Sequence, residues 1–375
     1  MARRPVRKAP RRPTPHRPGP RPPAPEPTAP SPTFDRIYVA ISLYFTAGLF
    51  LDGYAHNHLL ASIESFFTPW HAVFYSGFFA TVLLLGIVFL RGRRQGLPWR
   101  EAVPPGYDLA LIGAAVFFAG GVGDMIWHTF FGIEAGVEAL LSPTHLTLAL
   151  GGTLIGAAPL RAAWRRREAS SPWTAVLAAA VVISSFTFMT QFAQPTYDPW
   201  ATSSVALRHE GNSAFIMEAA GISGLLIQAA LFSALALYLL RRWPWQGRAG
   251  GLPFGAFTLI LGLNSLGMAF MHFEFRQIPA FLVAGLFADV LYRQWKPGPE
   301  RRGAVQAFAF TLPALVAAAQ YAVFFLTDQV WWSVHLWAGS IVLSGFVGWL
   351  LSLLAFPATG ARVEESMSRG VEGAG

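Results

Sequence analysis

Two segments of the chain carry aspartate and histidine at spacings that suit metal ligands. In each segment a histidine follows an aspartate by four residues, and a second histidine lies further along the chain. The two sets are, in chain order, Asp52, His56 and His71, and then Asp124, His128 and His145. Because residues i and i+4 lie on one face of a helix, each aspartate and its nearer histidine can point at one spot. Two imidazoles and a carboxylate form a ligand set for a divalent transition metal, here copper, iron or zinc.

Both sets lie in a repeated motif. Each copy reads D-x3-H and then, after a gap, E-x-[FL]-[FL]-[ST]-P-x-H-x5-G, and the copies are offset by 72 to 74 residues. The hydroxyl residue and the proline, at 68–69 and 142–143, are typical of a helix N-cap followed by the first helical residue. His71 and His145 then lie in the first turn of a returning helix, level with the last turn of the outgoing helix. Each set is therefore predicted to converge at the tip of an αα-hairpin.

Each copy also contains a glutamate between its two histidines, Glu64 in the first and Glu138 in the second. A glutamate there can orient a ligating imidazole, act as a fourth ligand or carry protons, so these two are the candidate catalytic residues. An alternative needs no metal: the aspartate pairs with a histidine and closes the hairpin as a buried, hydrogen-bonded clasp. Ionisable groups are costly to bury, and the recurrence of the whole set favours the metal.

The composition places these hairpins in a membrane. Of the 375 residues, 53% are hydrophobic and 13% are charged, which is about half the charged fraction of a soluble domain. The chain has no cysteine, which excludes disulfides, iron–sulfur clusters and thiolate metal sites. Apolar runs of membrane-spanning length predict helices near 36–58, 71–90, 107–130, 144–163, 173–193, 213–240, 252–273, 278–293, 304–326 and 333–356. The predicted fold is an all-α polytopic membrane protein of about ten transmembrane helices, arranged as repeated αα-hairpins. The first two hairpins, which carry the repeated motif, lie near 36–90 and 107–163.

Basic residues are concentrated on one side of this predicted topology. Of the 28 Lys and Arg, only Arg208 and Arg276 fall in loops on the side of the metal sets. The positive-inside tendency therefore predicts cytoplasmic termini and metal sets at the extracytoplasmic face of the cell membrane. Residues 1–35, rich in proline and arginine, and residues 357–375 are predicted to be disordered tails around a membrane domain at 36–356. The net charge of +8 belongs mainly to the first tail, so no nucleic-acid partner is expected.

Other ionisable residues carry weaker signals. Asp289 lies one helical turn before Arg293, which predicts a local ion pair. Four further histidines fall on the side of the metal sets: His58, His209, His272 and His335. His58 could join the first set and His209 could reach inward from its loop, but solvated loop positions are favoured for both. His272 with Glu274 fits a third cluster or an interfacial cap equally well. His335 follows Asp328 by seven residues, a faint echo of the repeated motif.

The D-x3-H segment, followed by a loop that ends in [FL]-[ST]-P-x-H, resembles the metal-binding stretch of the C subunit of particulate methane and ammonia monooxygenases. The resemblance implies that one aspartate and two histidines from adjacent membrane helices bind copper or a related metal. The matching positions are Asp52, His56 and His71 and, through the repeat, Asp124, His128 and His145. The resemblance also implies oxidoreductase activity and partner membrane subunits.

These features favour an integral membrane metalloprotein whose sites open to the outer side. As an enzyme, it is expected to be a metal-dependent oxidoreductase, or a subunit of one, that acts on a small or lipid-soluble substrate. Three other functions fit the same pattern: a transporter or permease for metal ions or small solutes, a zinc-dependent membrane hydrolase, and a non-catalytic subunit with a structural metal. The expected partners are the lipid bilayer and other membrane subunits.

Overall fold

The computed structural model describes residues 32–59, 66–134, 136–165, 172–209, 211–245 and 251–357. Glu64, most of the predicted N-terminal tail and nearly all of the predicted C-terminal tail lie outside these ranges. The described residues form helices joined by loops. The helices are α1 (Pro32–His58), α2 (Pro69–Arg94), α3 (Asp108–Phe131), α4 (Val137–Leu141), α5 (Pro143–Gly156), α6 (Ala158–Arg165), α7 (Pro172–Met189), α8 (Ser203–Arg208), α9 (Ala214–Arg242), α10 (Ala256–His272), α11 (Ile278–Trp295), α12 (Arg302–Thr327) and α13 (Val334–Ala355).

The helices coincide with the ten predicted spans. Within the described ranges, nine helical segments are long and apolar enough to cross a membrane, and α5 and α6 together form one of them. The tenth segment, α10, has 17 residues, or about 25 Å of helix, which is at the short end of the spanning range. The predicted all-α polytopic membrane fold is therefore confirmed. Its first helix begins at Pro32, inside the segment that was expected to be tail.

Helices that follow one another along the chain pack as pairs: α1 with α2, α3 with α5, α10 with α11, and α12 with α13. The helix α7 departs from this pattern, because it packs mainly on α10 and α1 rather than on α9. This arrangement places α7 between the first hairpin and the second half of the chain.

The glycine that ends each copy of the repeated motif sets the spacing within a hairpin. A Cβ atom on Gly77 of α2 would lie 2.7 Å from the Cα of Phe45 in α1. A Cβ atom on Gly151 of α5 would lie 2.5 Å from the backbone nitrogen of Phe117 in α3. Small residues at both positions allow the helix backbones to approach closely. The close approach keeps the second histidine of each set beside the aspartate of the neighbouring helix.

Asp289 of α11 caps the start of α10. Its carboxylate accepts hydrogen bonds from the backbone N–H groups of Phe257 and Thr258, at 3.0 Å each, and from the Thr258 hydroxyl at 2.7 Å. The predicted ion pair between Asp289 and Arg293 is wrong, since the Arg293 guanidinium lies over the Phe254 ring, 5.0 Å from its centroid. The N–H groups at a buried helix start need acceptors and carry partial positive charge, so the Asp289 carboxylate is a suitable partner for them.

Candidate metal centres

The predicted helix starts place the second histidine of each set. The Thr68 hydroxyl accepts a hydrogen bond from the backbone N–H of His71 at 3.1 Å, and Pro69 is the first residue of α2. Ser142 caps α5 in the same way, with its hydroxyl 3.4 Å from the backbone nitrogen of His145. Both imidazoles therefore extend from the first turn of a returning helix, as predicted.

The first triad consists of Asp52 and His56 near the end of α1 and His71 at the start of α2. One oxygen of the Asp52 carboxylate lies 3.3 Å from His71 Nε2, and the other lies 3.9 Å from His56 Nε2. One ligand atom from each residue lies within 4.8 Å of the other two. Ligand bonds of about 2.1 Å in a tetrahedral arrangement place donor atoms about 3.4 Å apart. The first triad therefore has dimensions that suit a single metal ion.

The second triad consists of Asp124 and His128 near the end of α3 and His145 in α5. The two oxygens of Asp124 lie 3.4 Å from His128 Nε2 and 3.5 Å from His145 Nε2. The Thr144 hydroxyl donates a hydrogen bond of 2.9 Å to the same carboxylate. The Asp124 side chain is 2% exposed, against 14% for Asp52. The second carboxylate is thus the more deeply buried, in agreement with its place in the more apolar helix.

In three of the four imidazoles, Nδ1 contacts an oxygen atom of the protein outside the aspartate carboxylates. This contact leaves Nε2 directed at the aspartate of the triad. His71 Nδ1 donates to a backbone carbonyl in the loop before α2. His128 Nδ1 donates to the Gly132 carbonyl at 3.1 Å, and His145 Nδ1 lies 2.7 Å from the Ser142 hydroxyl. A neutral imidazole that donates through Nδ1 carries a lone pair on Nε2. The atom that faces the carboxylate is therefore the atom that binds metals.

Two polar atoms of the first triad are buried without a hydrogen bond. In the described part of the chain, neither Asp52 Oδ1 nor His56 Nδ1 has a hydrogen-bond partner. Such an unsatisfied atom costs about 1–3 kcal/mol. A cation held between the carboxylate and the imidazoles would compensate the carboxylate oxygen, so the donor set of the first triad fits a metal ion.

Both triads face one cavity of about 120 Å³. Its polar lining includes Asp52, His56, His71, Asp124 and His145. Its apolar lining includes Phe45, Leu49, Phe74, Phe117, Leu148 and Phe188. Seven residues separate Phe45 from Asp52 along α1, so the cavity extends about 10 Å along the helix from the carboxylate towards the membrane centre. The cavity is therefore polar at the triads and apolar further into the bundle.

The glutamates occupy different places from those expected. Glu64 lies outside the described residues, and Glu138 is exposed on α4, so the proton-carrying role of both stays a prediction. Glu134, which was not identified from the sequence, lines the cavity and has a carboxylate oxygen 3.3 Å from His128 Nδ1. The first copy of the motif has Ser62 at the position 72 residues earlier. A search for repeated residues could not find Glu134, although its place six residues after a ligand-type histidine was a usable signal.

The other histidines at this end of the bundle lie apart from the triads. His58 and His335 are exposed, whereas His209 and His272 pack against neighbouring aromatic rings at tilted angles. Among the residues that the structure describes, the two triads are the groups of histidines and carboxylates whose ligand atoms converge.

Comparison of the chain with protein-family models, with curated proteins and with solved structures finds no match. The function must therefore be inferred from the residues of the two triads and of the cavity between them.

Proposed function

We propose that the protein is an integral membrane metalloprotein that binds one divalent transition metal ion at each triad. The observation that supports this most is the orientation of the imidazoles. His71, His128 and His145 each engage Nδ1 with an oxygen of the protein and turn Nε2 towards a buried carboxylate. The same arrangement, an imidazole fixed through one nitrogen and ligating through the other, is general in metal sites.

The alternative of hydrogen-bonded clasps fits this orientation less well. If His71 and His128 are neutral, their Nδ1 atoms donate to carbonyl groups and their Nε2 lone pairs face carboxylate oxygens at 3.3 and 3.4 Å, with nothing to attract them. If all four imidazoles are protonated, two imidazolium rings lie with centroids 5.9 Å apart in the first triad and 5.7 Å apart in the second, and the like charges repel. A metal ion in each triad gives every Nε2 lone pair and both carboxylates an attractive partner.

The ligand set and the cavity favour catalysis over a purely structural metal. A triad supplies three protein ligands and leaves coordination positions open, as catalytic metal sites do. Two histidines and a carboxylate with open positions are also the ligands of iron oxygenases, and nitrogen and oxygen donors suit copper and zinc as well. When bound, such a metal would supply Lewis acidity or redox chemistry. The metal-dependent oxidoreductase implied by the resemblance to the monooxygenase subunit is therefore the preferred activity.

The apolar part of the cavity indicates the class of substrate. An apolar protein cavity of about 150 Å³ is large enough to bind benzene, and the cavity beside the triads is of similar size. Phe45, Phe74 and Phe117 would bind an apolar molecule through contacts with its surface. The protein is thus proposed to act on a small, apolar molecule that dissolves in the membrane.

The placement in the cell membrane follows from charge. Arg91, Arg93 and Arg94 end α2 at the opposite end from His71, and Arg241 and Arg242 end α9. The positive-inside tendency assigns these ends to the cytoplasm and the triads to the outer face. Partner membrane subunits, which the resemblance implies, belong to the same proposal.

Elemental analysis of the purified protein tests metal binding. We expect about two transition-metal ions per chain, one for each triad, after purification without chelators. His128→Ala should remove the ion of the second triad, because two ligands hold a metal far more weakly than three. His58→Ala is the matched control, since this exposed histidine contacts the Met271 carbonyl instead of a triad. A metal-free wild-type protein, or a His128→Ala protein with unchanged metal content, would overturn the proposal.

The identity of the element also discriminates between activities, because zinc favours a hydrolase and a redox-active metal favours an oxidoreductase.

A further inference from the structure

We infer that Glu134 is a positioning residue that holds the His128 imidazole and makes the second triad bind a divalent ion more tightly than the first. The inference rests on the proposed metal binding and adds an order of affinity and a residue that sets it.

The loop after α3 carries Glu134 back onto the helix that precedes it. Gly132 ends α3 with φ of 81°, a left-handed conformation that favours glycine and turns the chain sharply. Glu134 then accepts a hydrogen bond from the indole N–H of Trp127 through one oxygen. Its other oxygen lies 3.3 Å from His128 Nδ1, an ion-pair contact rather than a hydrogen bond, and its side chain is only 12% exposed. Both oxygens of Glu134 are therefore directed at residues on the last turns of α3.

Glu134 acts on the ligand atom of His128 through the imidazole ring. Nδ1 of His128 is hydrogen-bonded to the Gly132 carbonyl at 3.1 Å, and the negatively charged Glu134 carboxylate lies 3.3 Å from the same nitrogen. This environment keeps a proton on Nδ1, so that Nε2, which points at Asp124, is the nitrogen available to a metal ion. A carboxylate behind a ligating imidazole fixes the ring and makes Nε2 a stronger donor.

The first triad has no equivalent of Glu134 among the described residues. His71 Nδ1 donates to a neutral carbonyl group, and His56 Nδ1 is buried without a hydrogen-bond partner in the described ranges. At the two offsets of the repeat, 72 and 74 residues, Glu134 corresponds to Ser62 and Leu60, neither of which is acidic. Among the residues that the structure describes, the second triad thus has two nearby carboxylates, Asp124 and Glu134, whereas the first has Asp52. The extra negative charge attracts a divalent cation, and burial of Glu134 strengthens the attraction.

A titration with Co²⁺ tests this inference in the full-length protein after its metal has been removed with a chelator. Visible absorption of Co²⁺ reports its ligands, so binding at nitrogen and oxygen donors can be followed directly. We expect two unequal steps, of which His128→Ala abolishes the tighter and His56→Ala the weaker. Glu134→Gln should weaken the tighter step by about 10- to 100-fold and shift its absorption bands. The glutamine keeps the size of the side chain and can still accept from Trp127, so thermal unfolding of the metal-free protein should change little.

Glu138→Gln provides the matched comparison, because Glu138 is the glutamate of the repeated motif and lies four residues away on an exposed surface. The inference is overturned if Glu134→Gln leaves the tighter step and its spectrum unchanged, or if Glu138→Gln weakens that step more. It is also overturned if His56→Ala, rather than His128→Ala, removes the tighter step. A wild-type protein that binds no Co²⁺ would contradict metal binding itself, which separates failure of the proposed function from failure of the role of Glu134.

Discussion

Each ligand-type side chain of the second triad is held by a neighbour that is not itself a ligand. The Thr144 hydroxyl donates to Asp124, the Ser142 hydroxyl contacts His145, and the Gly132 carbonyl accepts from His128. These contacts fix the orientation of the donor atoms that would bind the proposed metal ion. Preorganised ligands bind more tightly because binding need not order them.

Thr144→Val should weaken the second triad, since valine keeps the shape of threonine but cannot donate to Asp124. We expect a loss of stability of about 1.5–3 kcal/mol, the range for a hydrogen bond to a charged group, and weaker metal binding at the second triad. Thr147→Val is the control, because this hydroxyl, one turn further along α5, donates only to the Pro143 carbonyl of its own helix. Thermal unfolding and metal titration of the two variants measure the difference. Equal effects of the two substitutions would argue against a role for the Thr144–Asp124 hydrogen bond.

Helix pairs determine whether the triads can form, because each triad takes residues from two helices. The first histidine follows its aspartate on the outgoing helix, and the second lies on the returning helix. Close packing at Gly77 and Gly151 sets the distance between the members of each pair. Packing and ligand geometry are therefore coupled in both hairpins.

Gly151→Ala should separate α5 from α3. The added Cβ would lie 2.5 Å from the Phe117 nitrogen, which is backbone and cannot rotate away. We expect a net destabilisation of about 1–3 kcal/mol from overpacking and loss of the metal ion at the second triad but not at the first. Gly86→Ala in α2 is the control, because a Cβ atom at this position would have no neighbouring atom within 4 Å, and alanine favours a helix by about 0.5–1 kcal/mol. Both variants are compared by thermal unfolding and by metal content. Equal stability and equal metal content of the two variants would contradict the prediction.

Asp289→Ala should loosen the contact between α10 and α11. The substitution removes the acceptor for two backbone N–H groups at the start of α10, and each buried unsatisfied group costs about 1–3 kcal/mol. We expect a clear fall in the unfolding temperature, with both triads retaining their metal when the protein is folded. Asp289→Asn keeps one acceptor oxygen and should have a smaller effect. A stability equal to wild type for Asp289→Ala would show that the cap contributes nothing.

Most of the arginines that the structure describes lie at the end of the helix bundle opposite the triads, and this asymmetry predicts the orientation of the protein in the membrane. The chain has no cysteine, so a single cysteine can report the side of a loop. Val137→Cys, exposed in α4 near the second triad, should react with an impermeant thiol reagent added to intact cells. Glu101→Cys, exposed in the loop between α2 and α3, should react only after lysis. The opposite pattern would place the triads in the cytoplasm.

The spans and the six ligand-type residues could be predicted from the sequence because their determinants are local. Apolar runs define α2 and α9 without knowledge of their neighbours, and the Thr-Pro and Ser-Pro caps place His71 and His145 within one turn. The shared cavity could not be predicted, since it depends on how the first hairpin packs against α3, α5 and α7. Glu134 and the cap of α10 by Asp289 were missed for a related reason. A loop carries Glu134 back to Trp127 and His128 of α3, and Asp289 binds backbone N–H groups of a different helix, α10.

X-ray absorption at the edge of the bound metal tests the metal triads most directly. We predict nitrogen and oxygen ligands at about 2.0–2.2 Å together with the outer-shell scattering of imidazole, at about two imidazoles per ion. The double variant His56→Ala, His128→Ala should lose most of both the metal and the imidazole signal. Bound metal without imidazole scattering, or a spectrum that the double variant leaves unchanged, would contradict ligation by Asp52, His56 and His71 and by Asp124, His128 and His145.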